Sequence, residues 1–370
     1  MSDAGPNLHS YRVAVLSAVK HDYIPRAVDA HARFEVVVVA DDPDQPEWVQ
    51  ERNRLLAAEL GVPYVPDVAL ALARHRPEIA VVTSQAERHV DLAMRAVDAG
   101  LHLIVDKPLS PSHAECQRLC ERVQRRGVKS LVWNRNCHPA LIHARNVVSD
   151  GSLGELRSVH CDFYFAKDAG PPKGTRRADE PPMSWLTHQI QAHADGSDGG
   201  VGERPLGELQ VEGLYPLAYM RLLTGRPVKR VFARAASHVH QVHADNGVED
   251  LATLSLEMEG GLIGSICLGR IGAGSHPDLG AIKLHLIGTR SALVVSEPRP
   301  EVAVYYRGQP PDQFRHRRVA NGNDALLMED FLRAIEEGGE TVLDVAGGRD
   351  ICAVIEAALR SVESGQPEPV

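Results

Sequence analysis

Two near-continuous apolar runs, Tyr11–Leu16 and Phe34–Ala40, open the chain and most constrain what it can fold into. Runs of that kind belong to strands buried on both faces, as in a parallel sheet. "QPEWVQERNRLLAAELG" follows with the pattern of an amphipathic helix stopped by Gly61. Further strands are expected at Glu78–Thr83, His102–Lys107 and Val128–Trp133, separated by helices that end near Gly100 and Gly127. Strand–helix alternation with such short connections predicts right-handed crossovers and a doubly wound sheet.

Past Gly151 the texture changes. "RSVHCDFYFA" reads as a longer strand, and the stretch from Lys167 to about Arg204 is irregular and rich in Gly, Pro, Asp and His. A loop of that length within a compact domain is usually functional or disordered. A helical pattern in "LYPLAYMRLLTG" precedes six strands without intervening helices, from "VKRVFARA" to "VAVYYR". Two helical segments, "DALLMEDFLRAIEEG" and "ICAVIEAALRSVESG", close the chain. The expected fold is an α/β Rossmann-like N-terminal domain over residues 8–138 plus an α+β C-terminal domain over 139–370. The second domain carries a large, mostly antiparallel open sheet, and its last helix is expected to pack back on the first domain.

The 370 residues suffice for two such units, and 44% hydrophobic with 24% charged content describes a globular chain. A net charge of −9 without long Lys or Arg runs argues against a nucleic-acid or anionic-membrane surface. No apolar stretch reaches the ~18 residues that span a bilayer, and "MSDAGPNLHS" lacks a signal-peptide pattern, so cytoplasm is the expected location. Six cysteines without Cys-x-x-Cys predict neither a disulfide framework nor a structural zinc site of that kind. Cys116 and Cys120, four apart on a predicted helix, are expected to form a buried reduced pair.

"LSAVKHDY", after the first strand, stands where a dinucleotide-binding turn carries Gly-x-Gly-x-x-Gly. Ser17, Val19 and Asp22 occupy the glycine places. Val19 puts a side chain where backbone should approach phosphate, and Asp22 adds negative charge. Lys20, His21 and the free N–H groups of the following helix could offset both. Asp41 ends the second strand, 24 residues after Ser17, where a carboxylate would accept from the adenosine ribose hydroxyls. With Asp42 next to it and no Arg beside the pair to hold a 2′-phosphate, NAD is expected and NADP disfavoured. A turn that binds nothing and a solvated acidic turn are the plain alternatives.

"AGLHLIVDKPLS" places a Lys-Pro at the C-terminal edge of a parallel strand, facing the crevice where α/β sheets bind ligands. Pro108 fixes that turn, with a cis peptide as one option. With its flanks, this segment resembles the glucose–fructose oxidoreductase and inositol dehydrogenase family, the Gfo/Idh/MocA type. Asp106-Lys107-Pro108 is similar to the family's Glu-Lys-Pro, and Thr83-Ser84-Gln85…His89 to its Thr-Pro-Asn…His. "WNRNCHPALIHARNVVSDGSLGELRSV", "GLYPLAYMRLLTGRPVKRVFA", "NGVEDLATLSLEMEGGLIGSI" and "ALRSVESGQP" resemble further family segments.

The resemblance implies hydride transfer between a nicotinamide and a secondary alcohol or ketone of a sugar, inositol or related polyol. Lys107 would hydrogen-bond the reacting hydroxyl, as oxidising an alcohol requires a group that takes the proton. Ser17, Val19, Lys20, His21, Asp41, Thr83, Gln85, His89, Asp106, Lys107, Pro108 and Asn134 fall at cofactor-side positions. In the family's Asp-x-Gly-x-His/Tyr segment this chain has Val211 for the Asp and Tyr215 for the last residue. Tyr215 is either a proton donor, with a free pKa of ~10, or a packing residue. Glu212 could replace the missing carboxylate, but its displacement by one residue is expected to turn it elsewhere. Glu212, His188, His193 and His276 are the substrate-side candidates, and a dimer or tetramer is implied.

Eighteen histidines raise a rival reading. On a strand, His238 and His240 would share a face, and with His243 and Asp245 they suit a metal-dependent lyase or hydrolase. No helical His-Glu-x-x-His signature supports it, and no metal is expected. A non-catalytic, dinucleotide- or sugar-sensing relative is the other alternative. Missing glycines and Val211 favour it; Lys107 and Tyr215 oppose it.

Overall fold

The computed structural model describes residues 9–165, 205–270, 281–297, 301–306 and 322–370. The first unit runs β1 (Tyr11–Ala18), α1 (Tyr23–Asp29), β2 (Phe34–Ala40), α2 (Glu47–Leu60), β3 (Tyr64–Val65), α3 (Val68–His75), β4 (Ile79–Thr83), α4 (His89–Asp98), β5 (His102–Val105), α5 (His113–Arg126) and β6 (Ser130–Val132). Its six strands are parallel in the order β3-β2-β1-β4-β5-β6. That order reverses direction between β1 and β4, and ligands of doubly wound sheets bind at such a switch point. Gly61 and Gly127 end α2 and α5 in the left-handed conformation (φ 69° and 68°), which is why the sequence stops were readable there.

The second unit runs α6 (Pro139–Ser149), β7 (Leu156–Phe165), α7 (Glu208–Glu212), α8 (Leu214–Thr224), β8 (Val228–Ala236), α9 (Gln241–Asp245), β9 (Leu251–Met258), β10 (Ile263–Arg270), β11 (Ala281–Gly288), β12 (Ser291–Glu297) and β13 (Glu301–Tyr306). Then come α10 (Asn323–Glu336), α11 (Val345–Ser364) and β14 (Glu368–Pro369). Its eight strands lie in the order β13-β12-β11-β7-β10-β9-β8-β14, antiparallel except for the β7–β10 pair. β9 alternates buried Ala252, Leu254, Leu256 and Met258 with exposed Thr253, Ser255 and Glu257, the pattern of a sheet covered on one face.

Both closing helices return to the first unit. Leu327, Met328, Phe331 and Leu332 of α10 share one buried cluster with Val13 and Val15 of β1 and Val36 and Val39 of β2. Residues after the expected boundary therefore complete the first sheet's core. α11 comes so near the Lys-Pro turn that a Cβ on Gly348 would lie 3.0 Å from both Leu109 and Val132. Phe331 is fully buried, and Phe331→Ala is expected to lower unfolding stability by about 3–5 kcal/mol, read from denaturant midpoints.

Cys116 is buried on α5, but Cys120 is only partly so, and all six cysteines are free. The thiol beside Cys116 is Cys352 of α11 rather than Cys120, because α5 packs its inner face on that helix. No described helix is long and apolar enough to cross a membrane.

Candidate active site

The phosphate loop keeps the turn that a glycine would supply. Ser17 has φ 61°, a left-handed conformation that side chains disfavour. Thr83, at the end of β4, clamps it: its Oγ1 donates to Ser17 O at 3.1 Å, and its carbonyl accepts from Val19 N (2.9 Å) and Lys20 N (3.3 Å). Asn53 on α2 adds a second brace, accepting from Ala18 N at 2.8 Å and donating to Asp41 at 3.1 Å. The Val19 and Lys20 N–H groups are thus directed at Thr83. Asp22 does not face the loop's interior, because Arg26 holds its carboxylate at 3.0 Å.

His21 ties the loop to the next strand edge. Its Nδ1 lies 2.7 and 2.9 Å from the two oxygens of Asp106, and Asp106 also accepts from the Lys107 N–H at 2.7 Å. Burial pushes Asp106 up, but His21 beside it wins and holds its carboxyl below the usual range. Lys107–Pro108 is a cis peptide. His89 sits behind this turn, fully buried, with Nδ1 2.7 Å from Pro108 O and Nε2 3.0 Å from Ser84 O. It braces the turn instead of facing the loop. Asn134 is likewise engaged within its own loop, donating to Val132 O at 2.6 Å and accepting from Asn136 N at 2.7 Å.

Lys107 is 2% exposed and its ammonium is doubly held. Nζ donates at 2.9 Å to Glu212 Oε2 and at 2.9 Å to Val211 O. The expectation that Glu212 turns elsewhere is therefore corrected. α7 ends at Glu212 and α8 starts at Leu214, and across that junction Gly213 keeps helical dihedrals and donates to Leu209 O at 3.0 Å. Glu212 faces Lys107 despite its one-residue displacement. α7 ends there, so the Val211 carbonyl belongs to the negative helix end and suits a cation. Val211 thus supplies a backbone oxygen where the family pattern has a carboxylate.

Around this pair lies a buried charge network. Arg270, at the end of β10, reaches Glu212 at 3.5 Å and Glu208 at 2.5 Å, and His243 lies 3.4 Å from Glu208. Burial pushes the Glu212 carboxyl up, but Lys107, Lys20 and Arg270 together hold it down at about 2. Lys20 is lowered to about 7, first by burial and then by the Lys107 charge, although its side chain keeps some solvent contact. No sequence motif marks Glu208 or Arg270, since the topology alone brings them beside Lys107.

Tyr215 is 5% exposed and stacks on Phe163 at 5.6 Å between ring centroids. Lys107 Nζ lies 5.0 Å from the centre of its ring and the Arg135 guanidinium 5.1 Å. The two cations flank the ring as cation–π partners. Burial raises the phenol's pKa well above its ordinary value, so the hydroxyl keeps its proton at neutral pH.

At the other end of the crevice, Asp41 is fully buried. The expectation that no Arg stands beside the Asp41–Asp42 pair is contradicted: Arg88 bonds Asp41 at 2.8 Å and Arg95 bonds Asp42 at 2.8 and 2.9 Å. These arginines come from the segment after β4 and from α4, which the sheet order sets beside β2's end. Arg88's place directly before His89 was the available signal.

The histidine stretch is not a strand. β8 stops at Ala236, and Asp250 accepts from the backbone N–H groups of His238, Val239 and His240 at 2.8–2.9 Å. His240 Nε2 lies 2.6 Å from Arg270 O. Among the described residues no three metal-ligating side chains gather. His188, His193 and His276 lie outside the described residues.

The residues fit a dinucleotide. Ser17 Oγ and Gln85 Nε2, buried at the two sides of the crevice, have no hydrogen-bond partner, as groups awaiting a polar ligand would. Two models of one family match the chain. "Oxidoreductase family, NAD-binding Rossmann fold" covers residues 13–134, and "GFO/IDH/MocA C-terminal domain" covers 207–294. Levoglucosan dehydrogenase of Pseudarthrobacter phenanthrenivorans is 22% identical over 317 residues, 77% of this chain and 78% of that one. Inositol 2-dehydrogenase of Salmonella typhimurium is 29% identical over 91 residues, 24% of this chain and 27% of that protein. An inositol dehydrogenase homolog from Azotobacter vinelandii, solved with NAD+, superposes with a TM-score of 0.79 at 22% identity over 100% of both chains.

Proposed function

The chain belongs to the Gfo/Idh/MocA family of NAD-binding oxidoreductases acting on CH–OH groups, and from that premise we propose that it transfers hydride to or from a secondary alcohol of a sugar, inositol or related polyol. The relatives named as levoglucosan and inositol dehydrogenases support that substrate class. The observation that carries the reading is Lys107 Nζ, held at the switch-point crevice by Glu212 and Val211 O with Tyr215 beside it.

A nicotinamide, when bound, supplies the hydride acceptor or donor. Ser17, Lys20, His21, Thr83 and Gln85 would hold the cofactor's phosphates and nicotinamide side, and Asp41 its adenosine ribose. Lys107 manages the proton. Its nitrogen has three positions beyond the side chain, and two point to Glu212 and Val211. The third is left for the reacting oxygen. In oxidation Lys107 would first release one proton to solvent, the amine would then take the carbinol proton, and Glu212 would stabilise the ammonium re-formed. In reduction the ammonium returns that proton to the carbonyl oxygen.

Titration of the purified chain with NADH, followed by a polyol and sugar screen, tests the reading. Micromolar binding and NAD reduction by at least one polyol support it. Turnover that ceases with a chelator, or no turnover with bound NADH, removes it. One observation favours a sensing role without turnover: the Val19 and Lys20 N–H groups are turned to Thr83 O.

Lys20 gives the site a pH dependence. Below about 7 it is charged and favours phosphate; above, it is neutral. NADH affinity is expected to fall several-fold from pH 6 to 8.5, and Lys20→Met to flatten that profile, as read by fluorescence titration. Self-association as a dimer or tetramer is part of this proposal, with exposed Ile263 and Ile287 on the large sheet's strands in its support. A cytoplasmic location accords with the six free thiols.

A further inference from the structure

Asp41 Oδ1 accepts from Arg88 at 2.8 Å and from the Asp42 N–H at 2.8 Å, while Oδ2 accepts from Asn53 at 3.1 Å. Asp42 is held by Arg95 and, at 3.2 Å, by Arg88. A carboxylate at the end of this strand ordinarily selects NAD in two ways. It accepts from the ribose hydroxyls, and its charge repels a 2′-phosphate. Here two guanidinium groups balance two carboxylates within hydrogen-bond distance, so the repulsion is cancelled where it would act. Three donors also occupy most of the oxygen lone pairs through which Asp41 would grip a ribose.

Arg88 lies between the two aspartates, its side chain 11% exposed, and it also donates to Gln85 Oε1 at 3.4 Å. Gln85 Nε2 is the buried group without a partner beside it. We propose that Arg88 is the residue that reads the 2′ position of the adenosine ribose, and that it admits NADPH alongside NADH. The inference rests on the cofactor reading above. With a 2′-hydroxyl, Arg88 stays on Asp41. With a 2′-phosphate, Arg88 keeps Asp41 through Nη2 and turns Nη1, now only 3.4 Å from Gln85 Oε1, to the phosphate, so the carboxylate stays compensated. Arg95 continues to neutralise Asp42 in either case.

The test is fluorescence titration of the full chain with NADH and with NADPH, for the wild type, Arg88→Gln and Arg88→Lys. The expected wild-type affinities lie within about tenfold of each other. Arg88→Gln is expected to weaken NADPH by about 10–100-fold and NADH by less than threefold, and Arg88→Lys to restore part of the NADPH affinity. A wild type that prefers NADH by more than about a thousandfold overturns the proposal, as does an Arg88→Gln variant that weakens both alike. If the wild type binds neither nucleotide, the cofactor reading itself falls and takes this proposal with it.

Discussion

Lys107→Met is expected to reduce turnover by about a thousandfold or more while NADH still binds within about threefold of the wild type. General acid–base groups contribute about 10²–10⁴-fold, and Lys107 is the group proposed to carry the proton. Methionine keeps the apolar stem out to the ε-carbon and lacks only the terminal nitrogen's reach, so most of the buried slot beside Tyr215 stays filled. The substitution leaves Glu212 facing Arg270, so the carboxylate is not stranded. Stopped-flow hydride transfer and equilibrium titration, run on one preparation, separate chemistry from binding. Residual turnover within tenfold of the wild type would remove Lys107 from proton transfer.

The second large effect falls on stability. Glu212→Ala removes the carboxylate shared by Lys107 and Arg270 and leaves two buried cations facing each other's field. Removing one partner of a buried pair costs about 3–5 kcal/mol. The double variant Lys107→Met/Glu212→Ala is expected to recover a good part of that loss, since the uncompensated amine goes with its partner. Denaturant unfolding of the four proteins completes the cycle, and additive losses would mean that the two side chains do not interact.

The same pair sets an acid limb. The folded Glu212 carboxyl is held at about 2, below its unfolded value of ~4.3. Its contribution is therefore complete above the unfolded value and lost as pH falls towards 2. Glu212→Gln is expected to show a shallower loss of stability than the wild type between about pH 4.5 and 2, measured by thermal unfolding across that range.

Much of the fold was legible because its signals are local. The apolar runs of β1, β2 and β4 state burial on both faces, and β9's alternation states burial on one. Gly61 and Gly127 mark helix ends through a backbone conformation that few other residues adopt. Lys107 was legible for the same reason, since a Lys-Pro at a parallel strand's C-terminal edge already implies a direction. Two-residue strands such as β3 and β14 were not, because two residues carry no periodicity.

The sequence by itself determined the class of fold and pointed to the switch-point crevice and to Lys107 as the proposed centre of the site, since each follows from patterns within a few residues. Tertiary structure alone decided which charges meet there. Glu212 met Lys107 across 105 positions of sequence. Arg88 met Asp41 only because sheet order sets residues 47 positions apart side by side. Arg270 joined them from the far end of β10. Electrostatic pairing depends on distances of a few ångströms in space, and separation along the chain carries no record of them.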